Sequence, residues 1–186
     1  MNPLPDFNNN QPVFAEFIKQ HQPLVFNTAL GIVQNHEDAE EIAQDVFIEV
    51  YRQYKNFKGD STVSTWLYRI TANKCIDLMR KKKSKKRFAF ITSLFSPVSN
   101  EPVTDAAHFV HPGVQAENKE KAAYLFKAIE QLPENQKTAY VLCEIEMLRY
   151  KEIAEVMQVS VASVEALIFR ARQNLRKILE KSYKNL

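Results

Sequence analysis

The sequence predicts an all-α protein made of two small helical domains that are joined by a flexible linker. Through most of the chain, apolar residues recur at intervals of three and four, which is the period of a helix with one buried face. The 186 residues include only 3 glycines, fewer than a β-sandwich uses in its turns. A stretch rich in Pro, Ser, Asn and Thr, at about 92–112, lacks that period and marks the boundary between the domains.

Composition and motifs argue against several functional classes. The formal charge of +3 favours anionic partners only weakly. The chain has no Gly-rich phosphate loop, no His-Glu-x-x-His helix and no nucleophile elbow, so an enzyme is not predicted. Its 2 cysteines suit neither a disulfide framework nor a zinc site, and no metal or cofactor is expected. Without a signal peptide or a long apolar run, the predicted location is the cytoplasm.

The first domain is predicted over 12–87, after a disordered head over 1–11. Its first helical block begins near Pro12, with a possible break at Pro23. Asn35 is predicted to cap the next helix, which ends before Gly59. The apolar face of that helix comprises Ala39, Ile42, Val46, Val50 and Tyr54.

A third helix is expected to start at Ser61 or Ser64. Its polar stripe has spacings of three and four and comprises Arg69, Asn73, Asp77 and Arg80. The dense basic run 80–87 follows, with the charge density that a phosphate backbone attracts. The alternative is a basic linker that binds nothing.

The linker is predicted over 88–116 and the second domain over 117–182. Tyr150 to Ala171 has the pattern of a helix-turn-helix, with Ser160 as the cap of its second helix and Val159 filling the turn. The buried face of that second helix is expected to comprise Val164, Ile168, Ala171 and Leu175. The whole C-terminal domain is predicted to be a four-helix unit.

In a helix-turn-helix the second helix enters the major groove of DNA. The exposed residues near its start are then placed to meet base edges, and they are Ser160, Ala162, Ser163, Glu165 and Ala166. Phosphate contacts are assigned to Arg170, Arg172 and Arg176. The competing interpretation is an ordinary helical hairpin whose charged residues are merely solvated.

Three motifs together resemble the sigma-70 family of RNA polymerase sigma factors, in its small extracytoplasmic-function subfamily. Leu132-Pro-Glu-Asn-Gln136, continuing through Tyr150 to Val164, resembles the region that reads the minus-thirty-five promoter element. Asp38 to Phe47 resembles the helix that docks on the polymerase clamp. Phe57 to Ser61, followed by 65–70 and Asn73, resembles the segment that recognises and melts the minus-ten element.

The resemblance implies partners and site residues. Core RNA polymerase and promoter DNA are the implied partners, an anti-sigma factor is a further possible one, and no membrane insertion is expected. The polymerase-binding residues carried over are Asp38, Glu41, Gln44, Asp45, Phe47 and Glu49. The minus-ten residues carried over are Phe57, Ser61, Trp66, Arg69, Asn73, Asp77 and Arg80. Trp66 is nevertheless expected to be substantially packed, since core burial is the usual state of a tryptophan here.

Three residues depart from the family pattern. Glu165 and Leu167 stand where many relatives have basic residues, and Gln158 stands where the turn often has glycine. A left-handed conformation at Gln158 costs about 1 kcal/mol, so an altered turn is one expectation.

Two hypotheses about the whole chain remain open from the sequence. One alternative function is a free-standing helix-turn-helix regulator that binds DNA as a dimer. The second hypothesis is that the free protein packs its two domains together and hides its DNA-binding surfaces until polymerase separates them, as a long linker permits.

Overall fold

In a computed structural model, the described part of the protein contains seven α-helices. The described residues are 4–8, 10–95 and 119–183, with side chains described over 4–8, 10–88 and 124–181. In order, the helices are α1 Gln11–Val33, α2 His36–Gln53, α3 Val63–Phe95, α4 Lys119–Glu130, α5 Glu134–Glu144, α6 Tyr150–Met157 and α7 Val161–Tyr183. No strand occurs in these ranges, so the all-α prediction is confirmed. Most of the predicted linker lies outside the described residues.

Helix α1 runs through Pro23 without the break that the sequence suggested. A proline inside a helix removes one backbone hydrogen bond and costs about 3 kcal/mol. The residues after it compensate, because Val25, Leu30 and Ile32 are almost fully buried. Packing therefore overrides the local preference for a break.

The helix ends follow side-chain chemistry. The Asn35 side chain accepts a hydrogen bond from the backbone N–H of Asp38 at 2.9 Å, which confirms the predicted cap of α2. A short 3-10 helix, Tyr54–Asn56, extends α2 before the chain turns at Gly59, where φ is 80°. The Thr62 hydroxyl accepts from the N–H of Thr65 at 3.1 Å, so α3 starts between the two predicted serines. It then continues to Phe95, past the predicted boundary at residue 87.

The N-terminal head differs from the prediction of disorder over 1–11. Phe7 is fully buried, with its ring centroid 4.8 Å from that of Tyr54 and 4.9 Å from that of Phe14. Asp6 accepts a hydrogen bond from the Tyr54 hydroxyl, which is the main reason that the pKa of Asp6 is lowered. A polar, Pro-rich composition concealed this aromatic anchor.

The two helical blocks pack on each other. Tyr68 and Ala72 of α3 share a buried cluster with Leu142 of α5, Ile153 of α6 and Ile168 of α7. Helix α1 also packs on α5. The side of α3 that faces the second block is therefore part of a contact between the domains.

Candidate nucleic-acid and partner interfaces

The helix-turn-helix forms as predicted, with the exception of Val159. Gln158 takes the left-handed conformation, with φ 54° and ψ 45°, so a glycine is not needed for this turn. The Ser160 hydroxyl accepts from the N–H of Ser163 at 3.2 Å and caps α7. Val159 does not fill the turn, because it is 38% exposed and borders a cleft toward α3. Val156, three residues earlier, is fully buried in the core of this domain.

Helix α7 buries one face and exposes the other. The four residues expected to be buried, Val164, Ile168, Ala171 and Leu175, are at most 4% exposed. On the opposite side, Ser160, Ala162, Ser163, Glu165 and Arg170 are exposed and Ala166 is partly so. This confirms that the predicted groove-facing residues lie on the surface of the helix.

The sequence prediction missed Phe169 on this exposed face. Its side chain is 61% exposed, unusual for a phenylalanine. Seven residues, about two helical turns, separate it from Ala162, so the two lie on the same face of α7. Its position two helical turns after the predicted contact at Ala162 is the signal in the sequence that identifies Phe169 as part of this face.

Arg172 and Arg176 are both exposed but differ in their partners. The Arg172 guanidinium donates to the Glu144 carboxylate at 2.6 Å, and this bond is the main reason that the pKa of Arg172 is raised. Both arginines border a groove of about 400 Å³ formed by α4, α5 and α7, but no ion pair among the described residues includes Arg176. The two arginines are therefore not equivalent phosphate ligands.

The residues assigned to the minus-ten element fall into two groups. Phe57 and Trp66 are 7% and 8% exposed and stack on each other with centroids 4.8 Å apart, so they form core rather than surface. This confirms that Trp66 is packed and places Phe57 with it. The polar stripe does reach the surface, because Asn73, Asp77 and Arg80 are exposed while Arg69 and Ser61 are partly so.

The basic run is partly neutralised within the molecule. Lys82 Nζ donates to Asp38 Oδ1 at 2.7 Å, and Lys83 Nζ donates to Glu134 Oε1 at 3.2 Å. Five further cations of the run are exposed, namely Arg80, Lys81, Lys85, Lys86 and Arg87. A phosphate backbone thus has cations available at this end of α3.

Part of the acidic stripe of α2 pairs with lysines of α3. Asp38 is paired with Lys82, and the Asp45 carboxylate lies 3.6 Å from Lys74 Nζ. Glu49 accepts a hydrogen bond from Gln53 of its own helix. Glu41 is exposed. The charge of Asp38 is therefore balanced within the fold, while Glu41 and Asp45 remain exposed.

The opposite side of α2 borders a large groove with α1. This groove has a volume of about 1090 Å³. Of the residues predicted to bind polymerase, Gln44 and Phe47 line it, and Phe47 is only 7% exposed. Ile48 and Tyr51 line it too and are 49% and 40% exposed. The sequence prediction missed Ile48 and Tyr51, because an apolar residue next to a charged stripe is usually interpreted as part of the hydrophobic core.

Together these surfaces define a helical DNA-binding protein with a helix-turn-helix and a second, separate polar and basic helix. No helix among the described residues is long and apolar enough to cross a membrane. Family models match both blocks: Sigma-70 region 2 matches residues 17–85, and Sigma-70, region 4 matches residues 122–175.

Curated relatives extend the match over nearly the whole chain. The RNA polymerase sigma-H factor of Pseudomonas aeruginosa is 34% identical over 176 residues, which cover 90% of this chain and 86% of that protein. The ECF RNA polymerase sigma factor SigW of Bacillus subtilis is 32% identical over 174 residues, covering 91% and 90%. The chain belongs to the sigma-70 family of RNA polymerase sigma factors, in the extracytoplasmic-function subfamily.

Two solved structures share the fold. The sigma factor RpoE from Bartonella quintana, in complex with the anti-sigma factor NepR, superposes with a TM-score of 0.66 at 22% identity, covering 90% of this chain and 96% of that one. CnrH, in complex with the cytosolic domain of CnrY, gives a TM-score of 0.61 at 22% identity, covering 92% and 90%. Both family regions are present in the family's order, so the free-standing regulator is not favoured, and promoter-specific transcription initiation is the function of this chain.

Proposed function

We propose that this sigma factor holds core RNA polymerase in the groove between α1 and α2, reads the minus-ten element with the polar stripe of α3, and reads the minus-thirty-five element with α7. The corresponding units are 12–87 and 117–182, and the family matches at 17–85 and 122–175 fall within them. The protein acts by binding and catalyses no reaction itself. Its place of action is the cytoplasm.

One observation supports the polymerase site above the others. The α1–α2 groove combines about 1090 Å³ of open space with the exposed apolar side chains of Ile48 and Tyr51. Apolar and aromatic residues that would be desolvated at the centre of an interface contribute most of its binding energy. Gln44 and Glu40 line the same groove and supply polar contacts that a basic helix would satisfy. The acidic stripe on the α3 side has less free charge to offer, because Asp38 and Asp45 are already paired.

The DNA sites are divided by chemistry. On α7, Glu165 is placed to accept from a cytosine amino group, and Phe169 to contact a thymine methyl group. Arg170 and Arg176 are placed for phosphates. On α3, Asn73 is placed to read the edge of an unpaired base, and the cations of 80–87 to hold the strand.

An anti-sigma partner is also proposed. RpoE, which shares this fold, was solved with the anti-sigma factor NepR, and CnrH, which also shares it, was solved with the cytosolic domain of CnrY. Pull-down of polymerase by this chain, repeated with a co-expressed candidate from its own genome, tests whether the two compete for the α1–α2 groove.

Run-off transcription with purified core polymerase and fragments of the host genome tests the function. Specific new starts that share two spaced upstream elements are expected only when this protein is present. Unaided binding to palindromic DNA, with no new starts, would instead support a free-standing regulator.

The groove assignment has its own test. Ile48→Glu is expected to weaken binding to core polymerase at least tenfold, because a charge replaces an apolar contact at the groove. Glu41→Gln, on the same helix but outside the groove, is the matched control and should change the affinity less than twofold. Equal loss in both variants, measured by fluorescence anisotropy of labelled protein, would move the site to the acidic side of α2.

A further inference from the structure

The contact between the two domains is specific rather than incidental. The Tyr68 hydroxyl of α3 donates to Glu146 Oε2 at 2.9 Å, and Tyr68 is 9% exposed. Burial, and then the charge of Glu146, raises the pKa of this hydroxyl, so Tyr68 stays protonated and remains a donor. Lys83 and Glu134 form an ion pair across the same contact.

Gly31 allows α1 to approach α5 of the other domain closely. It lies inside α1 with an ordinary helical φ, so its backbone does not require glycine. A Cβ at this position would stand 3.0 Å from Cγ1 of Val141 on α5, which is tighter than nine in ten real Cβ contacts, so that Val141 would have to move by a few tenths of an ångström. A glycine inside a helix weakens that helix, and here the gain is room for the other domain.

This contact affects the two DNA-facing surfaces differently. The α3 stripe residues Asn73, Asp77 and Arg80 form one wall of a cleft of about 340 Å³. Its opposite wall comes from the second domain and comprises Asn135, Met157, Val159 and Leu167. A DNA strand laid along the stripe would meet that wall. The predicted DNA-facing side of α7 lies opposite its buried side and stays exposed to solvent in this closed arrangement.

We propose that the free protein is closed on one side only: the second domain blocks the minus-ten surface of α3, while the minus-thirty-five surface of α7 stays open. This rests on the proposed division of DNA recognition between α3 and α7. The sequence led us to expect that closure hides both DNA-binding surfaces, whereas in this proposal it hides only the minus-ten surface. Free protein then engages an upstream duplex but no melted strand until polymerase separates the domains.

A reversible disulfide lock tests the proposal. Gly31→Cys and Val141→Cys are combined in a Cys143→Ser background, since Cys143 is the half-buried thiol and Cys75 is fully buried. The 3.0 Å approach between a Cβ at 31 and Cγ1 of Val141 suits a disulfide, whose Cβ atoms lie about 3.5–4.5 Å apart. Gly31→Cys alone, in the same background, is the matched control.

The expected result has three parts. The free protein forms the intramolecular disulfide in high yield. The oxidised form then loses tenfold or more of its affinity for a single strand carrying the minus-ten element of a start found by run-off transcription. It keeps its affinity for the matching upstream duplex within twofold, and reduction restores strand binding.

Each other outcome overturns the proposal. No disulfide in the free protein means that the domains are not closed. Unchanged strand binding after oxidation means that closure does not block α3, and loss of duplex binding as well means that both surfaces are covered. The yield of the disulfide tests closure of the domains without any promoter. Run-off transcription with the reduced protein tests the sigma-factor function without the disulfide. A failure of the proposed function is therefore distinguished from a failure of the closure proposal.

A wedge variant gives an independent measurement. Gly31→Ala improves the helix propensity of α1, so the first domain should keep its fold. The added methyl group pushes against Val141, and strand binding by the free protein is expected to rise several-fold. Unchanged strand binding, together with unchanged small-angle scattering, would show that this contact does not hold the closed form.

Discussion

Helices α3 and α7 both carry residues that the sequence assigns to DNA, yet they are packed in different ways. Helix α7 buries a single stripe, from Val164 to Leu175, and its remaining circumference is largely open. Helix α3 packs against α1 and α2 of its own domain and against α5 and α6 of the other. Motifs therefore identify both helices, but the number of packing partners decides which side chains can reach DNA. On α3 that leaves a narrow polar stripe and excludes the aromatic residues.

Trp66→Ala is expected to have the largest effect, and it should act on stability. Removing a buried tryptophan costs about 3–5 kcal/mol through lost burial and the cavity left behind. Phe169→Ala on α7 is the matched aromatic control and should change stability by about 0.5 kcal/mol or less, since its side chain is 61% exposed. Urea unfolding of both variants measures the difference. A stable Trp66→Ala protein that still fails to open promoters would make Trp66 a DNA contact.

Asn73→Ala should act on strand opening instead. The side chain is exposed, so its removal should leave stability and polymerase binding nearly unchanged. Loss of one base-reading amide is worth about 1–3 kcal/mol, or roughly tenfold in open-complex formation. Permanganate footprinting measures the open complex, and gel shift measures polymerase binding. Equal loss in both assays would remove Asn73 from the reading surface.

The parts of this fold that depend on local chemistry were predictable from the sequence. The caps at Asn35 and Ser160 and the buried stripe of α7 follow from side-chain donors, acceptors and helical spacing within a few residues. The family motifs in turn assigned the two functional regions. These features need no knowledge of the distant chain.

The features that the sequence did not predict depend on contacts between distant residues. Phe7 is ordered by rings of α1 and of the 3-10 helix, and Asp45 pairs with a lysine on α3. Val159 follows the left-handed turn at Gln158 and lines the cleft between the domains. Periodicity cannot show whether an acidic stripe faces solvent or a basic neighbour, and it therefore could not show that Asp38 pairs with Lys82 of α3.

Phe169→Ala should affect α7 in its DNA-binding role by a smaller amount. Losing one apolar contact with a base is worth about 1 kcal/mol, or roughly fivefold in affinity for the minus-thirty-five duplex. The loss should depend on sequence, disappearing when the contacted thymine is replaced by uracil, which lacks the methyl group. Competition binding with substituted duplexes measures this. A uniform loss across all duplexes would assign Phe169 to the phosphate backbone or to packing.

The smallest effects separate the two arginines of α7. Arg176→Ala should reduce the salt dependence of duplex binding by about one phosphate contact, because no ion pair in the described part of the chain occupies its guanidinium. Arg172→Ala should change the slope less, since Glu144 already neutralises that charge at 2.6 Å. Glu144→Gln should then release Arg172 and steepen the slope, as long as the exposed pair contributes little to stability. Titrations at several salt concentrations measure all three slopes. Equal slopes for the two arginine variants would show that DNA displaces Glu144 and that both arginines bind phosphate.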